Sequence, residues 1–256
     1  LDKGGKVLDI DLDPEAIHEV TQKYQPFIES KRLILVQDNF SHLSQITRIA
    51  HISPIQGILF DLGVSTHQLD TAERGFSFNT DAPLDMRMDP NSLSVTAADL
   101  INALHEGELS ELFWKLGEEN FAKPIARKIV EVRQKKKIET TNELARIILS
   151  VRHHTSSDRT HPATRIFQAL RIAVNDELGS LRDTLPQALE VLAPNGRLVV
   201  ISFHSLEDRI VKEFFKDEQE KCSIKIITQK PVIPTEEEVE VNPRSRSGKL
   251  RAAEKV

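Results

Sequence analysis

The hydrophobic positions of the chain follow two periodicities, one typical of buried strands and one typical of helices. Short apolar runs predict strands at 6–11, 33–36, 57–60 and 197–203. Between Pro90 and residue 162 the spacing is helical throughout, with apolar residues three or four apart in the predicted helices at 97–104, 109–116, 121–132 and 142–151. The pattern therefore predicts an α/β fold that is interrupted by an all-helical insertion.

This alternation divides the chain into three segments. Residues 1–92 are predicted to form the first part of an α/β core, residues 93–162 the helical insertion, and residues 163–256 the second part of the core with a basic tail. A long helix is predicted after residue 161. Pro186 is expected to kink or restart it, because proline lacks the backbone N–H that a helix interior uses.

The stretch Asp61–Pro90 follows a predicted strand and fits neither periodicity. It contains five Asp, one Glu and two Arg. Long loops inside compact domains are usually functional, and a loop that leaves a parallel strand lies at the sheet edge where ligands bind. Asp61 is the first residue of this loop. The alternative is a solvated surface loop whose acids cap helices and turns.

Composition narrows the class of protein. Hydrophobic residues make up 39% of the chain and charged residues 29%, which is typical of globular proteins, and no apolar run is long enough to cross a bilayer. The single Cys222 excludes a disulfide framework, and no signal peptide pattern occurs, so the sequence predicts a cytoplasmic protein. His153, His154 and His161 have no partner cysteines or acids at metal-ligand spacing, and no metal is predicted.

The charge distribution limits how nucleic acid could bind. A net charge of -5 argues against binding over the whole surface, so any RNA contact must come from local basic patches. Such patches occur in the tail from Asn242 to Val256 and in the run from Lys123 to Lys137. The alternative for each run is a solvated charged face, which is the commoner meaning.

Several motifs together identify a family resemblance. The segments DLGVSTHQLDTAERGFSF and PLDMRMD within the 61–90 loop, SFHSLEDRIVKEFF at 202–215 and NPRSRSGKLRAAEK at 242–255 resemble the bacterial 16S ribosomal RNA cytosine-N4 methyltransferases, which depend on S-adenosylmethionine. The helical segment at 117–130 is similar to a further motif of the family, although Pro124 replaces an expected basic residue. The resemblance covers nearly the whole chain.

The resemblance implies a Rossmann-like methyltransferase sheet with the insertion as an RNA-recognition domain. It implies S-adenosylmethionine as the cofactor, 16S ribosomal RNA of the small subunit as the partner, and N4-methylation of one cytidine as the reaction. The family's first strand and its glycine-rich loop lie upstream of residue 1. The parent protein is therefore expected to be an active enzyme, and the chain as given is expected to be inactive.

The resemblance also implies roles for individual residues. Asp11, Phe40, Asp61 and Gln68 match cofactor-binding positions, and Asp61 is also the catalytic candidate because an acceptor for the amine hydrogen helps to localise the nitrogen lone pair. An acid at the end of a second strand commonly bonds ribose hydroxyls, which independently favours Asp11, whereas Asp13 is predicted to cap the following helix. The alternative for Phe40 is a core aromatic.

The RNA-binding candidates are His204, Arg165, Arg171, Arg244 and Arg246. His204 follows a predicted strand and could face the target base, but a histidine in that position is more often a hydrogen-bonded structural residue. Trp114 has two interpretations as well, core packing or an RNA-stacking platform.

The sequence leaves two alternatives to the function of a ribosomal RNA methyltransferase. The first is a non-catalytic RNA-binding or scaffold protein derived from that family, against which the retention of Asp11, Asp61 and Gln68 argues. The second is an amino methyltransferase that acts on DNA, which would carry an Asp/Asn-Pro-Pro-aromatic motif after its fourth strand. The sequence lacks that motif.

Overall fold

The structure is a computed structural model that describes residues 4–155 and 160–256. It contains two compact units. The first combines Leu1–Gly63 with Leu178–Val256, and the second is the intervening segment Val64–Glu177. Among the described helices, none is both long and apolar enough to cross a membrane.

Strands occur only in the first unit of the described chain. They are β1 (Val7–Asp11), β2 (Leu33–Gln37), β3 (Ile55–Asp61), β4 (Leu192–Ser202), β5 (Ile224–Ile226) and β6 (Lys249–Lys255). One sheet is the parallel pair β1-β2, and the other has the order β3-β4-β6-β5. In the second sheet β3 and β4 are parallel, and β6 is antiparallel to both of its neighbours. Every predicted apolar run forms a strand, and the predicted α/β class is confirmed.

Helices make up most of the remaining described structure. In chain order they are α1 (Pro14–Lys23), α2 (Gln25–Glu29), α3 (Leu43–Ile49), α4 (Thr66–Asp70), α5 (Ala97–Ala103), α6 (Glu106–Gly117), α7 (Ala122–Arg133), α8 (Thr141–Val151), α9 (Thr164–Asn175), α10 (Glu177–Val191), α11 (Ser205–Glu220) and α12 (Glu236–Val241). The four helices predicted between residues 97 and 151 correspond to α5–α8.

Polar residues fix where several of these helices begin. The Asp13 carboxylate accepts a hydrogen bond from the Glu15 N–H at 3.0 Å, and Pro14 occupies the first helical position, so the predicted cap of α1 is confirmed. Capping boxes begin α4, α5 and α8.

The core of the first unit joins the second sheet to α10 and α11. Phe60 of β3 and Val200 of β4 pack there with Leu181, Leu185 and Phe215 of the two helices. Such burial stabilises the unit by roughly 1.5–3 kcal/mol for each large apolar side chain.

The first sheet contributes less to this core, through Ile10 of β1, which packs against it. In the described chain β1 and β3 belong to different sheets. Each of these two strands carries an exposed apolar side chain. Val7 of β1 is 41% exposed, and Leu59 of β3 is 63% exposed. That a strand upstream of residue 1 lies between β1 and β3 stays a prediction.

The core of the second unit is formed by α5–α9 together with the loop that follows Gly63. Phe76, Leu84 and Met86 of this loop are buried in the same cluster as the apolar faces of the helices. The segments predicted as 1–92 and 163–256 therefore do not coincide with the units, because both the loop and α9 share the helical core.

The loop itself is ordered by a buried arginine and a glycine. The Arg74 guanidinium donates to the carbonyl oxygens of Arg87 and Met88 at 3.1 Å and 2.8 Å. Gly75 has a φ of 72°, and a Cβ there would lie 2.3 Å from the Pro83 carbonyl oxygen. The loop can therefore fold back on itself only with glycine at this position.

The long helix predicted after residue 161 breaks at Asp176 and not at Pro186. Asp176 has a φ of 47° and ends α9 in the left-handed conformation, whereas α10 runs through Pro186 without interruption. The predicted restart at Pro186 is therefore wrong, whereas a kink at this residue stays a prediction. The break lies beside the boundary between the two units.

Two adjacent residues of α6 test the helix orientation. Phe113 is fully buried, whereas Trp114 is 58% exposed. Phe113→Ala should lower the free energy of unfolding by about 3–5 kcal/mol because it leaves a cavity. Trp114→Ala should change it by only about 0.5 kcal/mol. Denaturant unfolding followed by circular dichroism measures both, and a larger loss for Trp114→Ala would contradict this orientation.

Candidate active site

Two predicted acids lie at the carboxyl ends of parallel strands in the first unit. Asp11 is the last residue of β1, and Asp61 is the last residue of β3. The register pairs Asp61 with Ile201 of β4, and the Leu62 N–H donates to the Ile201 carbonyl oxygen at 3.0 Å. The loop after β3 and the turn after β4 therefore leave the sheet at the same edge, where ligands of α/β proteins bind.

Asp11 lies in a locally acidic environment. Burial raises the pKa of its carboxyl, the N–H of Asp13 opposes that rise, and the charges of Asp13 and Asp9 add to it. The Asp13 N–H donates to Asp11 Oδ1 at 2.8 Å. This bond orients the carboxyl group at the end of β1.

Asp61 is exposed at the end of β3, but the protein around its carboxyl group displaces part of the solvent and raises its pKa. Protein solvates the ionised form less well than water does, so that form gains more from an added hydrogen-bond donor. An amine N–H is such a donor. The environment of Asp61 therefore suits the acceptor role that the sequence predicts.

Phe40 packs against the core, as its alternative interpretation expects, and it also keeps an exposed ring surface that a contact with adenine would need. It begins a short 3-10 helix, Phe40–His42, that is capped by the Asn39 side chain. Its ring centroid lies 5.8 Å from that of Phe60, and Phe40 packs against the core of the first unit. The side chain is only partly buried, so a ring surface remains for a ligand.

Gln68 belongs to the second unit and has a clear structural role there. Its Oε1 accepts from the Ser65 N–H at 2.9 Å, while its own N–H donates to Ser65 Oγ at 3.1 Å. These two bonds form the capping box of α4. A cofactor contact by Gln68 stays a prediction.

His204 caps α11. Its Nδ1 accepts from the Glu207 N–H at 3.4 Å, which places the ring proton of the neutral form on Nε2. The Glu207 carboxylate accepts in return from the N–H groups of Phe203 and His204, at 2.8 Å and 3.3 Å. Nε2 lies 3.2 Å from Glu207 Oε1 but forms no hydrogen bond among the described residues. His204 thus has the structural role that was its alternative interpretation.

The same turn forms one wall of a pocket of about 340 Å³ in the first unit. The pocket combines a cationic side with an apolar side, and its lining residues are Phe203, His204, Ser205, Ile233, Pro234, Val239, Arg246, Ser247, Gly248 and Lys249. The structure therefore brings together two of the predicted RNA-binding residues, His204 and Arg246. Arg244, the third candidate of this unit, is exposed outside that lining.

Comparison with known proteins shows the family of the chain. The sequence matches the MraW methylase family over residues 1–256. The chain belongs to the MraW methylase family. It is 46% identical to ribosomal RNA small subunit methyltransferase H of Paenibacillus sp. strain JDR-2, over 100% of this chain and 87% of that protein. It is 48% identical to the protein of the same name from Heliobacterium modesticaldum, over 98% of this chain and 85% of that protein.

A solved structure from Clostridium thermocellum also aligns with this member of the MraW methylase family. The alignment covers 98% of this chain and 76% of that chain, at 13% sequence identity and a TM-score of 0.42.

Sequence reasoning missed Asp208, which positions the cationic side of the pocket in this MraW methylase. Asp208 Oδ1 accepts from Arg251 Nε at 2.7 Å, and Oδ2 accepts from Lys249 Nζ at 3.3 Å. Burial alone would raise the pKa of Asp208, but the hydrogen bonds and charges of Arg251 and Lys249 hold it below the usual value. The sequence feature that could have drawn attention to Asp208 is its position as an acid in the first turn of the helix after β4.

The two arginines predicted to contact RNA from the second unit differ in environment. Arg171 is largely buried and forms a two-bond ion pair with Glu177, at 2.7 Å and 2.8 Å. The pair gives Arg171 a structural role, and its predicted RNA contact stays a prediction. Arg165 is exposed, and its guanidinium donates to the Glu118 carbonyl oxygen at 2.8 Å.

Asp208→Asn should lower the free energy of unfolding by about 1.5–3 kcal/mol at neutral pH, because it weakens hydrogen bonds to charged groups. The lowered pKa means that the ionised form stabilises the folded state above pH 3.8, and this stabilisation is lost as the pH falls below that value. The difference between wild type and variant should therefore shrink in acid. Urea unfolding at several pH values measures it.

The matched control is Glu254→Gln, which removes a more exposed pair with Arg197. The expected loss is below about 1 kcal/mol. Equal losses for the two variants would contradict a structural role specific to Asp208.

Proposed function

We propose that the protein transfers a methyl group from S-adenosylmethionine to N4 of one cytidine in 16S ribosomal RNA, in the cytoplasm where ribosomes assemble. The observation that carries this proposal is the position of Asp61. In a chain that matches a methylase family throughout, a carboxyl group with a raised pKa ends β3 at the ligand-binding edge. The names of the relatives support ribosomal RNA as the substrate.

The residues at this edge fit the cofactor by their chemistry. When bound, S-adenosylmethionine supplies an electrophilic methyl group on a sulfonium. Asp11 would hold the ribose hydroxyls through its carboxylate, whose Oδ1 is fixed by the Asp13 N–H. The partly exposed Phe40 ring would contact the adenine, and Gln68 would contribute from the second unit. We infer no metal in the reaction, since methyl transfer to an amine requires none.

Asp61 would act on the nucleophile. The exocyclic amine of cytosine is a weak nucleophile because its lone pair is delocalised into the ring. A carboxylate that accepts an N–H hydrogen bond draws that lone pair towards nitrogen, and the fixed edge of β3 holds the acceptor in place. Asp61 is therefore assigned as both the acceptor for the amine and a boundary of the cofactor site.

The RNA would be bound by the pocket after β4 and by the basic tail. Arg246 and Lys249 line the pocket together with Phe203, and Arg244 is exposed nearby in sequence. The target base must be unstacked before its amine can reach Asp61, which costs least in a single-stranded or irregular region. An isolated duplex should therefore be a poor substrate.

The direct test is methylation of small-subunit RNA by the product of the full reading frame, with nucleoside analysis by mass spectrometry. The expected product is N4-methylcytidine. Asp61→Asn should reduce kcat at least about a hundredfold. The control is Asp217→Asn on the exposed face of α11, which should leave kcat unchanged. The absence of N4-methylcytidine with wild-type protein would refute the proposal.

The basic tail generates a second expectation. Arg244→Ala combined with Arg246→Ala should reduce the slope of log affinity against log salt by about 0.7–0.9 for each lost phosphate contact. Sequence preference should change little, because phosphates carry no base identity. Filter binding of single-stranded RNA at several salt concentrations measures this. An unchanged slope would mean that the tail is structural.

A further inference from the structure

Two large aromatic side chains are exposed at the junction of α6 and α7 in the second unit. Trp114 is 58% exposed and Phe121 is 46% exposed. The adjacent Phe113 is fully buried in the helical core, so α6 already fills its core position without Trp114. Packing within the unit therefore does not explain the size of these two exposed side chains.

Cationic side chains surround this junction. The Arg152 guanidinium carbon lies 5.7 Å from the Phe121 ring centroid, and the Arg165 guanidinium donates to the Glu118 carbonyl oxygen at 2.8 Å. Lys123 is exposed in the first turn of α7. Within the described parts of the chain, Lys123 and Arg165 form no ion pair with a carboxylate. The junction therefore presents aromatic faces together with the two cations Lys123 and Arg165, whereas Arg152 is paired with the Glu119 carboxylate at 3.2 Å.

This combination matches the chemistry of single-stranded RNA. Every base has an apolar face that stacks on an aromatic ring, and the phosphates seek cations. A protein partner could also use exposed aromatics, but its surface would need a surplus of negative charge to match Lys123 and Arg165. Single-stranded RNA is a polyanion with flat apolar base faces, so it matches both the exposed rings and the cations.

We propose that Trp114 and Phe121 form a stacking platform for unpaired bases of the RNA, with Lys123 and Arg165 contacting adjacent phosphates. The proposal rests on the proposed function for the identity of the RNA. It assigns the second unit a direct role in holding the RNA strand, separate from the residues at the end of β3.

The chain offers an internal probe, because Trp114 is its only tryptophan. A single-stranded oligonucleotide from small-subunit RNA should quench tryptophan fluorescence on binding, and the same sequence as a duplex should quench it much less. Trp114→Ala should weaken binding of the labelled single strand about fivefold to a hundredfold, the range expected for one stacked base. Trp114→Phe should recover most of that affinity, because it keeps an aromatic face.

Two further variants separate stacking from general apolar contact. Phe121→Leu keeps an apolar side chain but removes the ring, and it should weaken binding by a similar factor. Val95→Ala removes an exposed apolar side chain elsewhere in the second unit, where Val95 is 45% exposed, and it should leave affinity unchanged. Circular dichroism confirms that each variant is folded.

The outcomes distinguish this proposal from the proposed function. Quenching with loss of affinity in Trp114→Ala supports the platform even if no methylated nucleoside forms, in which case the proposed function alone fails. Active wild-type enzyme with no quenching, and with unchanged affinity in both Trp114→Ala and Phe121→Leu, overturns the platform alone. Unchanged affinity for RNA combined with weaker binding to intact small subunits would also overturn it and would indicate a protein contact.

Discussion

The parallel pairing of β3 with β4 is the constraint on which the candidate site depends. Its register places Asp61 opposite Ile201 and buries Phe60 and Val200 in the core of the first unit. Because side chains alternate along a strand, a slip of one residue would expose Phe60 and bury Asp61. The burial of Phe60 and Val200 therefore also fixes the position of Asp61 at the end of β3.

A second pairing extends this arrangement to the pocket. The antiparallel register of β4 and β6 sets Ser202 opposite Lys249, so the turn after β4 meets the segment before β6. Asp208 then joins the first turn of α11 to β6 through Arg251 and Lys249. The pocket thus results from strand pairing and one shared carboxylate, and its cationic side is held by contacts that stabilise the fold.

Sequence patterns predicted the features of the fold that depend only on residues close to one another in the chain. The strand before Asp61, the Asp13 cap and the helices between residues 97 and 151 each depend on side chains within one or two turns. The pair between Arg171 and Glu177 spans the left-handed Asp176, so helical spacing could not reveal it.

Other features require the tertiary structure. Asp208 and Arg251 are 43 positions apart, and no local pattern links them. The spacing of Leu109, Leu112 and Leu116 places Phe113 on the apolar face of α6. Trp114 lies beside that face, and only the structure shows that its side chain is exposed. Helix α9 likewise ends at the left-handed Asp176, ten residues before Pro186, where the sequence predicted the break.

The central claim is that Asp11, Phe40 and Asp61 hold the cofactor, and a crystal structure of the complex with S-adenosylhomocysteine tests it most directly. The account predicts ribose hydroxyls within hydrogen-bond distance of the Asp11 carboxylate, adenine against the exposed surface of Phe40, and the sulfur end directed towards Asp61. Ligand density away from these three residues, for example in the pocket lined by Phe203 and Lys249, would contradict it.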